Sequence, residues 1–298
     1  MLLAIDTTSL NDRCVVCRIS LVYRGRAIPL VWQTFDTRSH SLRFAAYLPL
    51  LKRAHRLLPP DCHVTLLGDR GFGNLRLMRW CLKCGWHFAL RLKKSRFVIH
   101  ANGRRERLTD ALGVAPGDIF SLTDVRLPFA PKATFGPVQV HIALSPEPGA
   151  EVWYIVSDRP DGYAVLADYR CRMDIDHSFK DDKSGAFQWE DSHLDTPQQV
   201  DRLLLVMAVA VLYLVSEGTF LVESGRRTAV DPHTTRGLSY LQLGLRSIRQ
   251  AVVQAKRFRL KLHIDPRPDP DPVAPYGIPF PVFGSFTWLP GPARPAGV

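Results

Sequence analysis

The sequence predicts an α/β fold, a mixed sheet flanked by helices, with a small β-rich insertion before the last acidic helix. Three observations predict it. The first 94 residues order as β-β-β-α-β-α-β. Residues 95–149 then break into short alternating runs with Pro and Gly, and from residue 150 a core strand is followed by helical patterns. The expected division is 1–94 and 150–262 as two parts of one domain, 95–149 as the insertion, and 263–298 as an irregular or disordered tail. A chain of 298 residues with 46% hydrophobic content is long enough to bury such a core.

Leu2–Ser9 reads as a buried strand ending in a carboxylate and hydroxyls. Cys14–Val22 and Ala27–Phe35 are β-rich, and Tyr23-Arg-Gly-Arg26 between them predicts a hairpin. Ser39–Leu58 has helical periodicity, with Leu42, Ala45, Ala46 and Pro49 as its apolar face and Pro59-Pro60 as the stop. Cys62–Phe72 is a short apolar strand running into Asp69-Arg70-Gly71. Asn74 caps a helix to about Cys84, and His87–Leu92 is another strand. This order is that of a ribonuclease-H-like fold, in which the ends of the first and fourth strands lie side by side and bring Asp6 next to Asp69.

In the insertion, Phe97–His100, Ile119–Leu122 and Val138–Leu144 are the strand candidates, and Glu151–Ser157 returns as a core strand. Thr196-Pro197 is an N-cap with Pro at the first helical position, opening a helix through Val222 that is expected to be fully buried. Gly237–Leu262 predicts another helix, with Leu241, Leu245, Ile248, Val252 and Ala255 on one face and a basic decoration from Arg246 to Lys261. Residues 265–298 hold 10 of the 23 prolines, which predicts the irregular tail.

The 39 basic and 28 acidic residues leave a net charge of +11, so a polyanion, nucleic acid first, is the expected partner. The N-terminus meets Asp6 at once and lacks a basic leader, and the longest apolar run, Leu203–Val215, is shorter than the ~20 residues a membrane span needs. A cytoplasmic protein with no membrane partner is expected. Cys14/Cys17 and Cys81/Cys84 form two Cys-x2-Cys pairs, but the first lies in a strand, where i and i+3 point to opposite faces. Reduced core thiols are therefore expected rather than zinc ligands.

The chemistry gathers in Tyr163–Lys183, which predicts one helix. At ~100° per residue, Tyr169, Arg172, Asp176 and Lys183 fall within about 60° of one face, and Cys171, Ile175 and Phe179 form an apolar stripe beside them. Alone, the charge pairs on this helix would suit a solvated face, at ~0.2–0.5 kcal/mol each. The spacing Tyr-x2-Arg-x3-Asp-x6-Lys, however, resembles the Tyr/Arg/Glu/Lys signature of DDE transposases of the bacterial insertion-sequence-four group, with Asp176 in place of Glu. Asp6 in Ala-Ile-Asp-Thr-Thr-Ser-Leu and Asp69 in Leu-Gly-Asp-Arg-Gly-Phe precede it in the family's order. The likeness covers roughly residues 1–250.

The resemblance implies a DNA transposase that hydrolyses the element's ends to expose a 3′-hydroxyl and joins that hydroxyl to target DNA by transesterification. It implies Asp6, Asp69 and Asp176 as catalytic metal ligands for Mg²⁺, with Mn²⁺ as a substitute. Tyr169, Arg172 and Lys183, with Arg70 beside Asp69, are the implied DNA contacts, and a dimer is implied in the complex with element ends and target DNA. Three carboxylates suit this chemistry, because two Mg²⁺ ions ~3.5–4 Å apart take oxygen ligands and complete their shells with phosphate and water. Asp176 is one methylene shorter than Glu, the insertion lacks the Trp that the family often uses on a flipped base, and the chain starts at the first catalytic strand, so the N-terminal DNA-binding region is expected to be missing. The alternatives are an impaired transposase remnant that only binds DNA and a ribonuclease-H-like nuclease acting on other substrates.

Overall fold

The first three β-rich runs form an antiparallel meander in the computed structural model, which describes residues 1–10, 13–110, 117–130, 133–144, 149–257, 259 and 261–272. Strands β1 (Leu2–Leu10), β2 (Cys14–Tyr23) and β3 (Arg26–Asp36) pair in sequence order. Arg24 and Gly25 turn the β2–β3 hairpin at φ 46° and 82°, the left-handed pair whose twist matches that of the strands. Helix α1 (Phe44–Leu57) leads to β4 (Thr65–Gly68), parallel to β1, and α2 (Leu75–Lys83) leads to β5 (His87–Arg91), parallel to β4. The resulting order β3-β2-β1-β4-β5 is the ribonuclease-H-like arrangement that the sequence predicts.

The caps follow the sequence where a side chain makes them: Asn74 Oδ1 accepts from the Leu77 amide at 3.0 Å and starts α2. The face of α1 differs from the expected one. Tyr47, Leu50, Leu51 and Ala54 are its buried residues, not Leu42, Ala45, Ala46 and Pro49. The helix starts only at Phe44, so its phase is set by the larger side chains that reach the sheet.

Strands β6 (Phe97–Ile99), β7 (Arg105–Arg107), β8 (Ile119–Ala130) and β9 (Ala133–Ala143) come from the expected insertion. Strand β10 (Trp153–Ser157) lies antiparallel between β5 and β9, so these strands prolong the main sheet to ten, in the order β3-β2-β1-β4-β5-β10-β9-β8-β6-β7. Residues 111–116, 131–132 and 145–148 of the insertion lie outside the described residues.

The single helix expected over Tyr163–Lys183 is broken. Helix α3 (Gly162–Arg170) ends where Cys171 and Arg172 turn the chain, α4 (Met173–Lys180) follows, and a π-helical turn, Asp181–Gly185, closes the segment. The amides of Cys171, Arg172, Asp174 and Ile175 each bond three residues back, which tightens the backbone at the break. The two halves pack on different parts of the sheet: α3 covers β5 and β8–β10, whereas α4 covers β1–β3. Ile175 and Phe179 are buried against Ala4 and Ala27, as the apolar stripe predicts.

Helix α5 (Pro197–Glu223) opens with the capping box of Thr196 and Gln199. It is not fully buried: Leu205, Val206 and Val209 are exposed. By length and composition α5 could cross a membrane, with an 18-residue window at mean hydropathy 2.1, but half of that window is buried in the molecule. Its buried Glu217 accepts from Ser247 Oγ at 2.9 Å on α6 (Tyr240–Val253). Helix α6 is shorter than predicted and buries Tyr240, Leu241, Leu243 and Gly244, while Val252 is exposed, because the last turns run past the end of the contact with α5.

Two glycines set that contact. A Cβ on Gly218 would lie 1.9 Å from the Tyr240 carbonyl oxygen, and one on Gly244 would lie 1.9 Å from that of Leu214. The helices therefore touch through backbone, and Gly218→Ala is expected to force them apart at ~3 kcal/mol. The measurement is the thermal midpoint by circular dichroism, expected to fall by roughly 6–12 °C. An unchanged midpoint would show that the contact is not tight.

Of the expected tail, residues 263–272 are irregular but tied down: the Asp265 amide donates to Tyr23 Oη at 3.1 Å, and Asp269 Oδ2 accepts from Arg236 Nη2 at 2.8 Å. Residues 273–298 lie outside the described residues.

Candidate active site

Parallel pairing of β1 with β4 sets Ile5 opposite Gly68. Asp6 is the next residue within β1 and Asp69 is the first residue past β4, so two carboxylates leave neighbouring chain segments at one level. Alternation places Asp6 on the same sheet face as Ala4, the face that α4 covers. Asp6 Oδ1 accepts from the Thr7 amide at 2.7 Å, and Asp69 Oδ1 accepts from the Gly71 amide at 2.8 Å.

Arg172, at the break between α3 and α4, joins the third acid to the first. Its Nη1 donates to Asp6 Oδ2 at 2.9 Å and its Nη2 to Asp176 Oδ2 at 2.8 Å. Burial, then the Asp69 charge, pushes the Asp6 carboxyl up to about 7 against the opposing pull of Arg172. Burial works against the charge of Arg172, but Tyr169, Asp176, Asp6 and Asp69 more than offset it and hold the guanidinium above its ordinary range. Asp174 is separate: burial raises it to about 6, and its charged neighbours are Arg26 and Arg170.

The structure brings Asp6, Asp69, Arg172 and Asp176 together, but it does not line up the four residues of the helical signature on one helix face. Tyr169 is only 2% exposed, its ring edge-on to Trp153 at 5.2 Å. Burial raises its phenol to about 12, and its charged neighbours, led by Arg172, include Arg91, Asp69 and Asp6, so it backs the acids from beneath. Lys183 lies in the π-helical turn and meets Glu190 at 3.4 Å. Arg70 is exposed and pairs with Glu151 at 3.3 Å. An open cleft of about 350 Å³ begins beyond Asp6, lined by Thr7, Thr8, Asp176, Lys180, Lys183 and Glu190 among others.

Sequence reasoning missed Glu190 and the groups that lock α4. Arg18, opposite Asp6 on β2, is buried, pairs with Asp182 and lies 4.3 Å from the Phe179 ring centroid. Arg26 bonds Asp181 at 2.6 Å, and the Ala27 amide donates to Ser178 Oγ at 2.8 Å. A cation inside Cys-Val-Val-Cys-Arg18-Ile-Ser was the available signal, since a buried arginine needs a carboxylate.

The chemistry of the donors fits a hard divalent cation: Asp6 on β1, Asp69 just past β4 and Asp176 on α4 lie within electrostatic reach of one another, and burial, then the Asp69 charge, disfavours an ionised Asp6, a cost that a cation would relieve. In this arrangement the Arg172 guanidinium supplies the positive charge between Asp6 and Asp176. Among the described residues, no three His, Cys, Asp or Glu side chains are gathered closely enough to hold an ion as they stand. Cys17 and Cys81 are buried in the main core, and the Cys14 thiol faces the Asp195 carbonyl at 3.8 Å.

The family model of the transposase DDE domain matches residues 8–213. The chain belongs to this family. Members of the DDE transposase family generally cleave DNA and transfer its strands, typically with a divalent metal. The match starts two residues after Asp6 and contains Asp69 and Asp176. Among solved structures, the chain is similar to a piggyBac transposase in a cryo-EM synaptic complex with hairpin DNA, at 10% identity and TM-score 0.45. The likeness covers 91% of this chain and 60% of that one, so the DDE chain spans about three fifths of that transposase. No curated protein matches it.

Proposed function

We propose that this chain is the catalytic part of a DNA transposase of the insertion-sequence-four group, which nicks element ends and joins the freed 3′-hydroxyl to target DNA. The observation that carries the reading is that Asp6, midway along β1, and Asp69, just past the end of β4, follow the last parallel pair, Ile5 with Gly68, on neighbouring strands, with Arg172 tying Asp176 to Asp6. Asp6, Asp69 and Asp176 would hold Mg²⁺ or Mn²⁺, which supplies activation of the attacking hydroxyl and stabilisation of the leaving oxygen. Arg172 releases a carboxylate and turns its fork to a phosphate, a partner that bidentate guanidinium geometry suits. Lys183 holds a second phosphate along the cleft and Arg70 meets the backbone at the rim, while Tyr169, 2% exposed as a whole residue, braces the acids rather than touching DNA. The reading extends to a dimer on paired DNA ends, acting in the cytoplasm.

The test incubates the chain with duplex DNA carrying candidate ends, with Mg²⁺, with Mn²⁺ or with chelator, beside an RNA–DNA hybrid of the same sequence. Metal-dependent nicking of the duplex supports the reading. Preference for the hybrid makes the chain a ribonuclease-H-like nuclease instead, and duplex binding without nicking makes it a remnant that only binds DNA.

A further inference from the structure

Seven strands away from β1, the far edge of the sheet carries a second charged surface. Strand β6 lies between β8 and β7, with Ile99 opposite both Arg126 and Arg105, and Phe97 opposite Arg107. Cross-strand partners share a face, so Arg126, Arg105 and Arg107 rise on one side of the edge around Phe97 and Ile99, while Val98 points into the core. The guanidinium carbons of Arg105 and Arg107 lie 4.2 and 5.2 Å from the Phe97 ring centroid. All three arginines are exposed, as are Lys93 and Lys94 just before the hairpin. None of these five cations forms an ion pair among the described residues, whereas neighbouring Arg104 is taken by Glu106 at 2.9 Å.

A charged edge strand is a common guard against edge-to-edge pairing, and exposed lysines alone would serve that purpose. Two features go beyond it. The cations are arginines gathered on one face, and two are stacked on an aromatic ring, which holds the planar forks in place and leaves their N–H edges outward. Because guanidiniums cover the ring, it is not a platform for an unstacked base, and the ligand that fits is a row of phosphates. At ~4.8 Å per strand the surface lies about 30 Å along the sheet from the acid cluster, so it meets a different stretch of any bound duplex.

We propose that the β8–β6–β7 face, through Arg105, Arg107 and Arg126, is a second contact for the phosphate backbone of duplex DNA, read without regard to sequence. The inference rests on the transposase reading only for its choice of DNA as the polyanion.

The test measures binding of the full chain to a fluorescent 30-base-pair duplex of arbitrary sequence, without metal, at several salt concentrations. The triple variant R105Q/R107Q/R126Q is expected to bind about tenfold or more weakly at low salt, with a log–log salt slope shallower by about 2.7, since each phosphate contact contributes about 0.9. The triple lysine variant should keep most of the slope, and matching circular dichroism spectra and thermal midpoints show that the glutamine variant is folded. Unchanged affinity and slope in the glutamine variant, or no duplex binding by the unmodified chain, overturns the inference, and so does stronger competition by single-stranded DNA or RNA than by duplex. Loss of binding in the variant while the unmodified chain never nicks would sink the transposase reading but leave this surface standing. Nicking with unchanged binding would do the reverse.

Discussion

Asp6→Asn is expected to lower metal-dependent nicking about a thousandfold or more while the protein stays folded. The carboxylate stands midway along β1, paired with Arg18 on β2 and one residue beyond the last parallel pair with β4, so its position is fixed by backbone pairing. The amide keeps the shape and can still accept the Thr7 N–H, but it does not bring an anionic oxygen to a cation. Loss of a ligand that positions several kcal/mol of charge stabilisation is worth that factor, at 1.36 kcal/mol per tenfold. Unfolding can be separated from lost chemistry, because the fold disfavours the ionised Asp6, whose pKa is pushed up to about 7 by burial and by Asp69. A neutral amide therefore removes a cost at neutral pH, and without metal the variant should melt at or above the midpoint of the unmodified chain. A variant that melts normally and nicks normally would exclude Asp6 from the chemistry, and Asp69→Asn should lose nicking as Asp6→Asn does.

The parts legible in the sequence were those fixed by short-range pattern. Three β-rich runs, the Asn74 cap and the Thr196-Pro197 start announce their elements locally, and from their order the parallel pairing of β1 with β4 follows. Asp6 and Asp69 could be paired once that order was matched to the ribonuclease-H-like arrangement. The break at Cys171–Arg172 could not, since α3 and α4 read as one periodic stretch and pack on different strands of a sheet assembled from residues far away in sequence. The same holds for Lys183: a straight helix puts it beside Tyr169 and Asp176, but the π-helical turn carries it to Glu190 instead. Leu205, Val206 and Val209 are as apolar as buried residues elsewhere on α5, so their exposure was not legible either. The arginines of β7 were invisible as a surface until pairing placed them across from Phe97 and Ile99.

Asp176→Glu is expected to raise metal-dependent nicking about tenfold, and Asp176→Ala to abolish it. Asp176 lies on α4, held to the sheet by Arg18 with Asp182, by Arg26 with Asp181 and by Ser178 against the Ala27 amide. A helix fixed at three points cannot slide to bring a short side chain closer, so the reach lost with one methylene is not recovered by backbone motion. Misplacement of a reacting or ligating group by ~1 Å can cost up to about a hundredfold, and a longer side chain from the same Cα restores reach without moving the helix. Room exists for it, because Asp176 borders the open cleft and its side chain is 41% exposed. Arg172 remains in range of a glutamate at i,i+4. Glu190 provides the control, since it is the other carboxylate lining the cleft and is already engaged with Lys183. Glu190→Gln should leave nicking within a few-fold of the unmodified chain. If Glu190→Gln abolishes nicking and Asp176→Ala does not, the third acid is Glu190, and Asp176 serves only to hold Arg172.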